Sequence, residues 1–213
     1  MNDPRAMTQL CHQVRADVER REPIDESERR CIDDFLVRFD ALERPFDQDA
    51  DPVHVTGSAI VVGPRGVVLL RHKRLGFWLQ PGGHIDADET PWDAALREAR
   101  EETGLDVRFA GDWPRLVHVD VHPGGRGHTH LDLRYLIDGG DADPAPGSDE
   151  SQEIGWFDWD AAVVRADDYV VVFSSEGEPG VAPDGSQDDR FFYAGTGVRW
   201  NNDTTDIAFL FDD

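Results

Sequence analysis

The stretch Gly83 to Leu105 reads GHIDADETPWDAALREAREETGL and carries a helix with both ends marked. Thr90-Pro91 supplies an N-cap followed by proline at the first helical position, where a missing N–H costs nothing, and Gly104 can take the left-handed stop. The spacing predicts a helix over Pro91 to Thr103. On it Glu98, Glu101 and Glu102 stand at i, i+3 and i+4 and converge on one face, while Trp92, Ala95, Leu96 and Ala99 form the stripe expected to pack inward. Like charges at this spacing cost a few tenths of a kcal/mol per pair, roughly, an arrangement that makes sense around a hard divalent cation with oxygen ligands. The preceding Pro81-Gly82-Gly83 turn brings bare backbone to the front of the helix, where carbonyls reach a metal and amides approach an anionic oxygen. Mg²⁺ keeps several waters and takes a few carboxylates plus substrate phosphates, so the pattern points to a diphosphate completing its sphere and to water attack on phosphorus.

Outward from this helix the chain divides into three stretches. Residues 1–50 read as two helices broken near Pro23, because Ile24, Ile32, Phe35, Leu36, Phe39 and Leu42 recur at three- and four-residue spacing among charges. After the acidic connection Asp47 to Pro52, a sheet-containing domain is expected over residues 54–168. Ser58 to Val62 and Gly66 to Leu70 flank Gly63-Pro64-Arg65-Gly66 as a strand-turn-strand pair, and Phe77 to Leu79 leads into the Pro-Gly-Gly turn. Leu116 to His122 and Thr129 to Ile137 alternate and read as a hairpin, with His118, Asp120 and His122, and His130, Asp132 and Arg134, forming a polar, His-rich face. Residues 139–153 are a loop by composition, Ile154 to Phe157 a strand, and Asp158 to Val164 a short helix. Residues 169–213 form a C-terminal extension, in which Tyr169 to Phe173, Arg190 to Tyr193 and Ile207 to Phe211 are strand-like and Glu176 to Asp189 is turn-rich.

Composition narrows the function. The 213 residues hold 31 Asp and 13 Glu against 20 Arg and the single Lys73, a net charge of −23. Such a surface disfavours a counterion-displacing nucleic-acid binder, so small-molecule partners are expected. The same surplus is compatible with a high-salt cytoplasm, where self-repulsion is screened. Cys11 and Cys31 suit two helix-borne thiols in a reducing compartment better than a disulfide framework. Neither a signal peptide nor a membrane-length apolar run is seen, so the expected setting is cytoplasmic.

Gly83, Glu89, Arg97-Glu98, Glu101-Glu102, Gly104 and Leu105 stand at the spacing of the Nudix box, which this stretch resembles, with Ala99 where a bulkier aliphatic is usual. With this composition a chance match is on the order of one in a million, so acidity alone does not produce it. Trp78 before Pro-Gly-Gly and the Trp156-Phe157 strand are similar to the family's flanks. The resemblance implies an α/β fold, the Nudix α/β/α sandwich around a mixed β-sheet, here preceded by an N-terminal helical segment. It implies Mg²⁺, with Mn²⁺ as a substitute, held by Glu98, Glu101 and Glu102 with Gly83 contributing backbone, while Arg97 and Glu89 orient the glutamates. The general base falls to a box glutamate, Glu98 in the first instance, or to a loop acid, for which Glu150 and Glu153 are the candidates.

Arg71, Arg74, His130 and Arg134 are the expected phosphate or sugar contacts. The His118/His122/His128/His130 group is read as substrate contact or sheet surface ahead of a transition-metal site. The expected substrate is a diphosphate derived from a nucleotide, either a nucleoside diphosphate linked to another moiety or a nucleoside triphosphate. The proline of ADP-ribose hydrolases, the tyrosine of dinucleoside-polyphosphate hydrolases and a coenzyme-A signature are all missing. A Nudix-fold binding or regulatory module without turnover is the alternative, opposed by the intact box. Allylic diphosphate isomerisation is opposed by cysteines that lie ahead of the domain. The terminal segments could serve a homodimer.

Overall fold

Two amphipathic helices open the chain because Pro23 lacks an N–H and biases the residue before it away from the helical region, which splits one apolar periodicity in two. They are α1 (Pro4–Arg20) and α2 (Glu26–Phe39). Asp25 caps α2 by accepting from the Ser27 and Glu28 amides at 2.8 and 2.9 Å. The computed structural model describes residues 4–72, 78–145, 151–157, 163–166, 169–172 and 206–208.

The domain that follows runs β1 (Val53–Gly63), β2 (Gly66–His72), β3 (Trp78–Leu79), β4 (Gly82–His84), α3 (Pro91–Thr103), β5 (Arg108–Phe109), β6 (Leu116–Pro123), β7 (Thr129–Asp138) and β8 (Ser151–Phe157). The sheet is mixed. β1 runs parallel to β7 from Val53 opposite Thr129 to Val62 opposite Asp138, and every other pairing in it is antiparallel. β5 and β6 share the far side of β7, β2 and β4 share the far side of β1, and β8 closes the other edge against β2.

One sheet face is apolar and lies under α3. Val55, Ala59 and Val61 of β1 and Leu131, Leu133, Tyr135 and Ile137 of β7 are buried there, and the Trp92 ring meets Tyr135 edge-on at 6.3 Å. The opposite face carries His54, Thr56 and Ser58 beside Asp132 and Arg134, and these polar side chains are buried as well. The outer edge of β6 is covered by α2. Buried Glu28 accepts from the Val119 amide at 3.0 Å and is held by Arg21 Nε at 2.8 Å, so an unpaired strand edge is satisfied by a helix-borne carboxylate.

The helix over Pro91–Thr103 stands as expected, with Thr90 accepting from the Asp93 amide and Gly104 at φ +66°. The expected stripe faces inward: Ala95 and Ala99 are buried and the half-buried Trp92 and Leu96 pack against the core, with Ala94, Glu102 and Thr103 buried beside them. β1 passes so close that a Cβ on Gly57 would lie 2.3 Å from the Pro91 carbonyl oxygen, leaving room only for small residues between helix and sheet.

Two expectations about the later part of the domain are corrected. The loop expected through residue 153 ends earlier, because Ser151 and Glu153 already pair with His72 and Arg71 of β2 across a bulge. The short helix over Asp158 to Val164 does not extend to its end: Val163 and Val164 lie in β9 (Val163–Ala166), consistent with the preference of β-branched residues for strands. β9 pairs with β10 (Tyr169–Val172), which pairs with β11 (Asp206–Ala208) in a separate three-stranded sheet. Asp158 to Ala162, Glu176 to Asp189 and Arg190 to Tyr193 lie outside the described residues. Among the described residues no helix is long and apolar enough to cross a membrane.

Candidate active site

Arg97 is the hub of the box. Its Nε and Nη2 donate to the two oxygens of Glu89 at 2.8 and 3.1 Å, its Nη1 donates to Glu98 at 2.7 Å and to Glu101 at 3.3 Å, and Nη2 also reaches the His84 carbonyl at 3.0 Å. The hydrogen bond to Glu89, with Glu98 adding to it, holds the guanidinium well above its ordinary pKa. Glu89 is fixed in turn by the Asp86 amide at 3.1 Å. One cation therefore ties the loop before α3, strand β4 and two carboxylates of the helix into a single arrangement.

Glu102 lies on the buried side of α3 and accepts from the Gly82 amide at 3.0 Å. A Cβ on Gly83 would lie 2.4 Å from Glu98 Oε1, so glycine there lets backbone approach the carboxylates. All these donors are oxygens, the carboxylates outnumber the guanidinium of Arg97 among the described residues, and Glu101 is 58% exposed. That set fits a hard divalent cation.

The opposite sheet face holds a second ionic group, closed upon itself. Arg134, 1% exposed, donates to Asp132 at 3.0 Å and Asp120 at 2.9 Å. Thr56 and Ser58 donate to Asp132 at 2.9 and 2.8 Å, and His122 Nδ1 lies 2.7 Å from Asp120. Burial alone would raise the Asp120 pKa, but Arg134 and His122 more than offset it and hold the carboxyl well below its usual range. Arg134, expected at a phosphate, here directs Nε and Nη2 at two buried carboxylates.

Burial, with His122 beside it, pushes the His130 pKa down to about 4, so near pH 7 the ring is neutral and holds a ligand by hydrogen bonding rather than by charge. Of the residues grouped as His118, His122, His128 and His130, His118 is buried and held well below 6.5 by burial, while His122 faces Asp120 with its ring 5.3 Å from that of His130. His128 and His130 instead join His54 and His84, which the sequence reading had not grouped with them. Alternation along β6 and β7 assigns faces, but nothing local announces that β1 runs beside β7 in a register that sets His54 opposite His130.

Arg71 and Glu153 face each other across β2 and β8 at 3.2 Å on the exposed edge. Arg74 and Glu150 lie outside the described residues.

A mixed sheet with a glutamate-lined helix seated on a Pro-Gly-Gly turn defines an α/β protein whose oxygen donors gather at one end of the helix–turn unit. The NUDIX domain model matches residues 52–174, more than half of the chain, which belongs to the Nudix family. The probable DHNTP pyrophosphohydrolase of Lactococcus lactis subsp. cremoris is 31% identical over 93 residues, 40% of this chain and 54% of that protein. An RNA pyrophosphohydrolase of Brucella anthropi is 31% identical over 111 residues, covering 46% and 63%. The crystal structure of a NUDIX-family hydrolase from Clostridium perfringens is 28% identical, covers 50% of this chain and 81% of its own, and superposes with a TM-score of 0.45. The chain thus spans little more than half the length of these curated relatives.

Proposed function

We propose that the protein is a Mg²⁺-dependent hydrolase that cleaves a diphosphate linkage in a small nucleotide-derived substrate. The observation that carries this reading is the way Arg97 gathers Glu89, Glu98 and Glu101 on one side of α3 while Glu102 is anchored to the Gly82 amide. The pyrophosphohydrolase names of the two curated relatives support the same class.

In this reading Glu98, Glu101 and Glu102 hold the cation, with the Gly83 backbone at their side. Bound there, Mg²⁺ would neutralise phosphate charge and make water a better nucleophile. The chain's own residues do the rest. Arg97 and Glu89 fix the carboxylates beforehand, so no side-chain ordering is needed when substrate arrives. Glu98, seated against the turn at Gly83, is the residue assigned to take a proton from the attacking water. Arg71 and Arg74, on the stretch that leads into the turn, are assigned to the substrate's anionic part. The substrate is taken to be a nucleoside diphosphate derivative or a nucleoside triphosphate, acted on in a cytoplasmic setting.

The test is product release with Mg²⁺ and with Mn²⁺ across nucleoside diphosphate sugars, ADP-ribose, dinucleoside polyphosphates, and normal and oxidised nucleoside triphosphates, at low and high salt. Turnover that requires the divalent ion is the expected result. Silence across the panel from folded protein that binds Mg²⁺ would point instead to a binding module.

A further inference from the structure

We propose a second metal site, distinct from the box carboxylates: a zinc-type transition-metal ion held by His54, His84, His128 and His130. Their ligand atoms, one from each ring, all lie within 4.8 Å of one another. His54 is the centre of the group, with its ring 5.1 Å from His84, 5.0 Å from His128 and 5.2 Å from His130.

Strand pairing makes the cluster. The parallel register sets His54 opposite His130, and the antiparallel one sets His84 opposite Thr56, two residues along β1 on the same face. His128 is brought in by the β6–β7 loop, where the Gly124 amide donates to the His128 carbonyl at 2.8 Å and the Thr129 amide donates to the Pro52 carbonyl at 2.8 Å. Three segments distant in sequence thus place four imidazoles at one point.

The chemistry of His54 argues for an ion. Its side chain is fully buried, and Nδ1 lies 3.2 Å from the Asp51 carbonyl oxygen. A carbonyl only accepts, so Nδ1 carries the ring proton and Nε2 presents a lone pair. That Nε2 is buried with no hydrogen-bond partner. A buried acceptor left unsatisfied is destabilising, whereas a ligand histidine whose other nitrogen donates to a backbone carbonyl is the usual arrangement around a metal.

The donor set selects the metal. Imidazole nitrogens suit Zn²⁺, Cu²⁺, Ni²⁺ or Fe²⁺, whereas Mg²⁺ takes oxygen. Tetrahedral Zn–N bonds of about 2.1 Å put neighbouring nitrogens about 3.4 Å apart, within reach of small ring rotations from the observed spacing. Four protein ligands close the coordination sphere, so the ion is structural and not the one that activates water. It would pin the starts of β1 and β7 to the end of β4, whose His84 carbonyl receives Arg97.

The experiment strips the full-length protein with a chelator and titrates it with Zn²⁺, and with Co²⁺ as a spectroscopic probe, in saturating Mg²⁺. The expected result is one Zn²⁺ per chain that Mg²⁺ does not displace, a tetrahedral Co²⁺ absorption spectrum, and an X-ray absorption first shell of nitrogen only. His54→Gln and the half-buried His128→Gln are each expected to weaken Zn²⁺ binding at least about tenfold, while Glu101→Gln leaves it unchanged. Absence of stoichiometric Zn²⁺, or a first shell containing carboxylate oxygen, overturns the proposal, and both are read on the wild-type protein. Neither readout depends on turnover, so the site stands or falls separately from the hydrolase reading.

Discussion

Two ionic groups flank the same sheet, and they solve opposite problems. On the α3 side one guanidinium, Arg97, serves Glu89, Glu98 and Glu101, so among the described residues the carboxylates are in excess, and Glu101 reaches solvent. On the other side Arg134 sits between Asp120 and Asp132, with Thr56, Ser58 and His122 completing the hydrogen bonds, and all but His122 are fully buried. The residue types are nearly the same, but the first group leaves negative charge for a ligand to neutralise and the second is satisfied internally. An arginine between carboxylates is therefore read from its burial and from how many acids it serves.

The comparison is broken most directly by removing each cation. Arg134→Met should cost about 3–5 kcal/mol, because it leaves two buried carboxylates without their partner, and urea unfolding would measure it. A loss below about 1 kcal/mol would remove the distinction between the closed group and the open one. On the open side, Glu101→Gln or Glu102→Gln should lower turnover roughly 100-fold while the fold is kept, as read by circular dichroism beside a Mg²⁺-dependent assay. Undiminished activity would sink the assignment of the box glutamates.

Arg97→Lys sharpens the contrast further. Lysine keeps the charge but loses the fork that engages Glu89 through two parallel bonds, so kcat should fall about tenfold or more with little change in melting temperature. A large drop in stability with unchanged kcat would show that Arg97 is framework, like Arg134.

Acid separates the groups without mutation. His118 is kept neutral by burial with Arg134 beside it, while the unfolded chain takes up a proton near pH 6.5, roughly, so its contribution is lost as pH falls below that value. Asp120 has a depressed pKa, so its contribution is present above about pH 4, the unfolded value, and is lost as pH falls further. His122, raised beside Asp120, acts in the opposite sense as pH rises. The melting temperature of metal-free protein should decline from pH 7 and fall most steeply below about pH 4, and Asp120→Asn should flatten the lower limb. The smallest effect is that of salt. At a net charge of −23 the melting temperature should rise modestly from low salt to about 1 M, and a flat response would mean that self-repulsion does not limit stability.

Much of the fold lay in local pattern. The caps at Thr90 and Gly104, the break at Pro23, the β1–β2 turn and the β6–β7 hairpin each depend on residues a few positions apart, where dihedral preference and periodicity act directly. The segment after Phe157 was harder, since β9, β10 and β11 form through pairings that the apolar runs alone do not specify.

The same division runs through the sites. Glu98, Glu101 and Glu102 share a side of α3 by helical geometry, so their convergence was settled by spacing within the sequence, as was the Pro-Gly-Gly turn in front of them. Tertiary structure alone decided the rest. Thr56 and Asp132 are 76 residues apart and meet because β1 and β7 run parallel in one register, and that register also enclosed Arg134 and set His54 beside His130 and near His84. Helical neighbours are fixed by a backbone repeat that every residue obeys, whereas strand partners are chosen by burial of whole faces, and that choice exists only once the chain has folded.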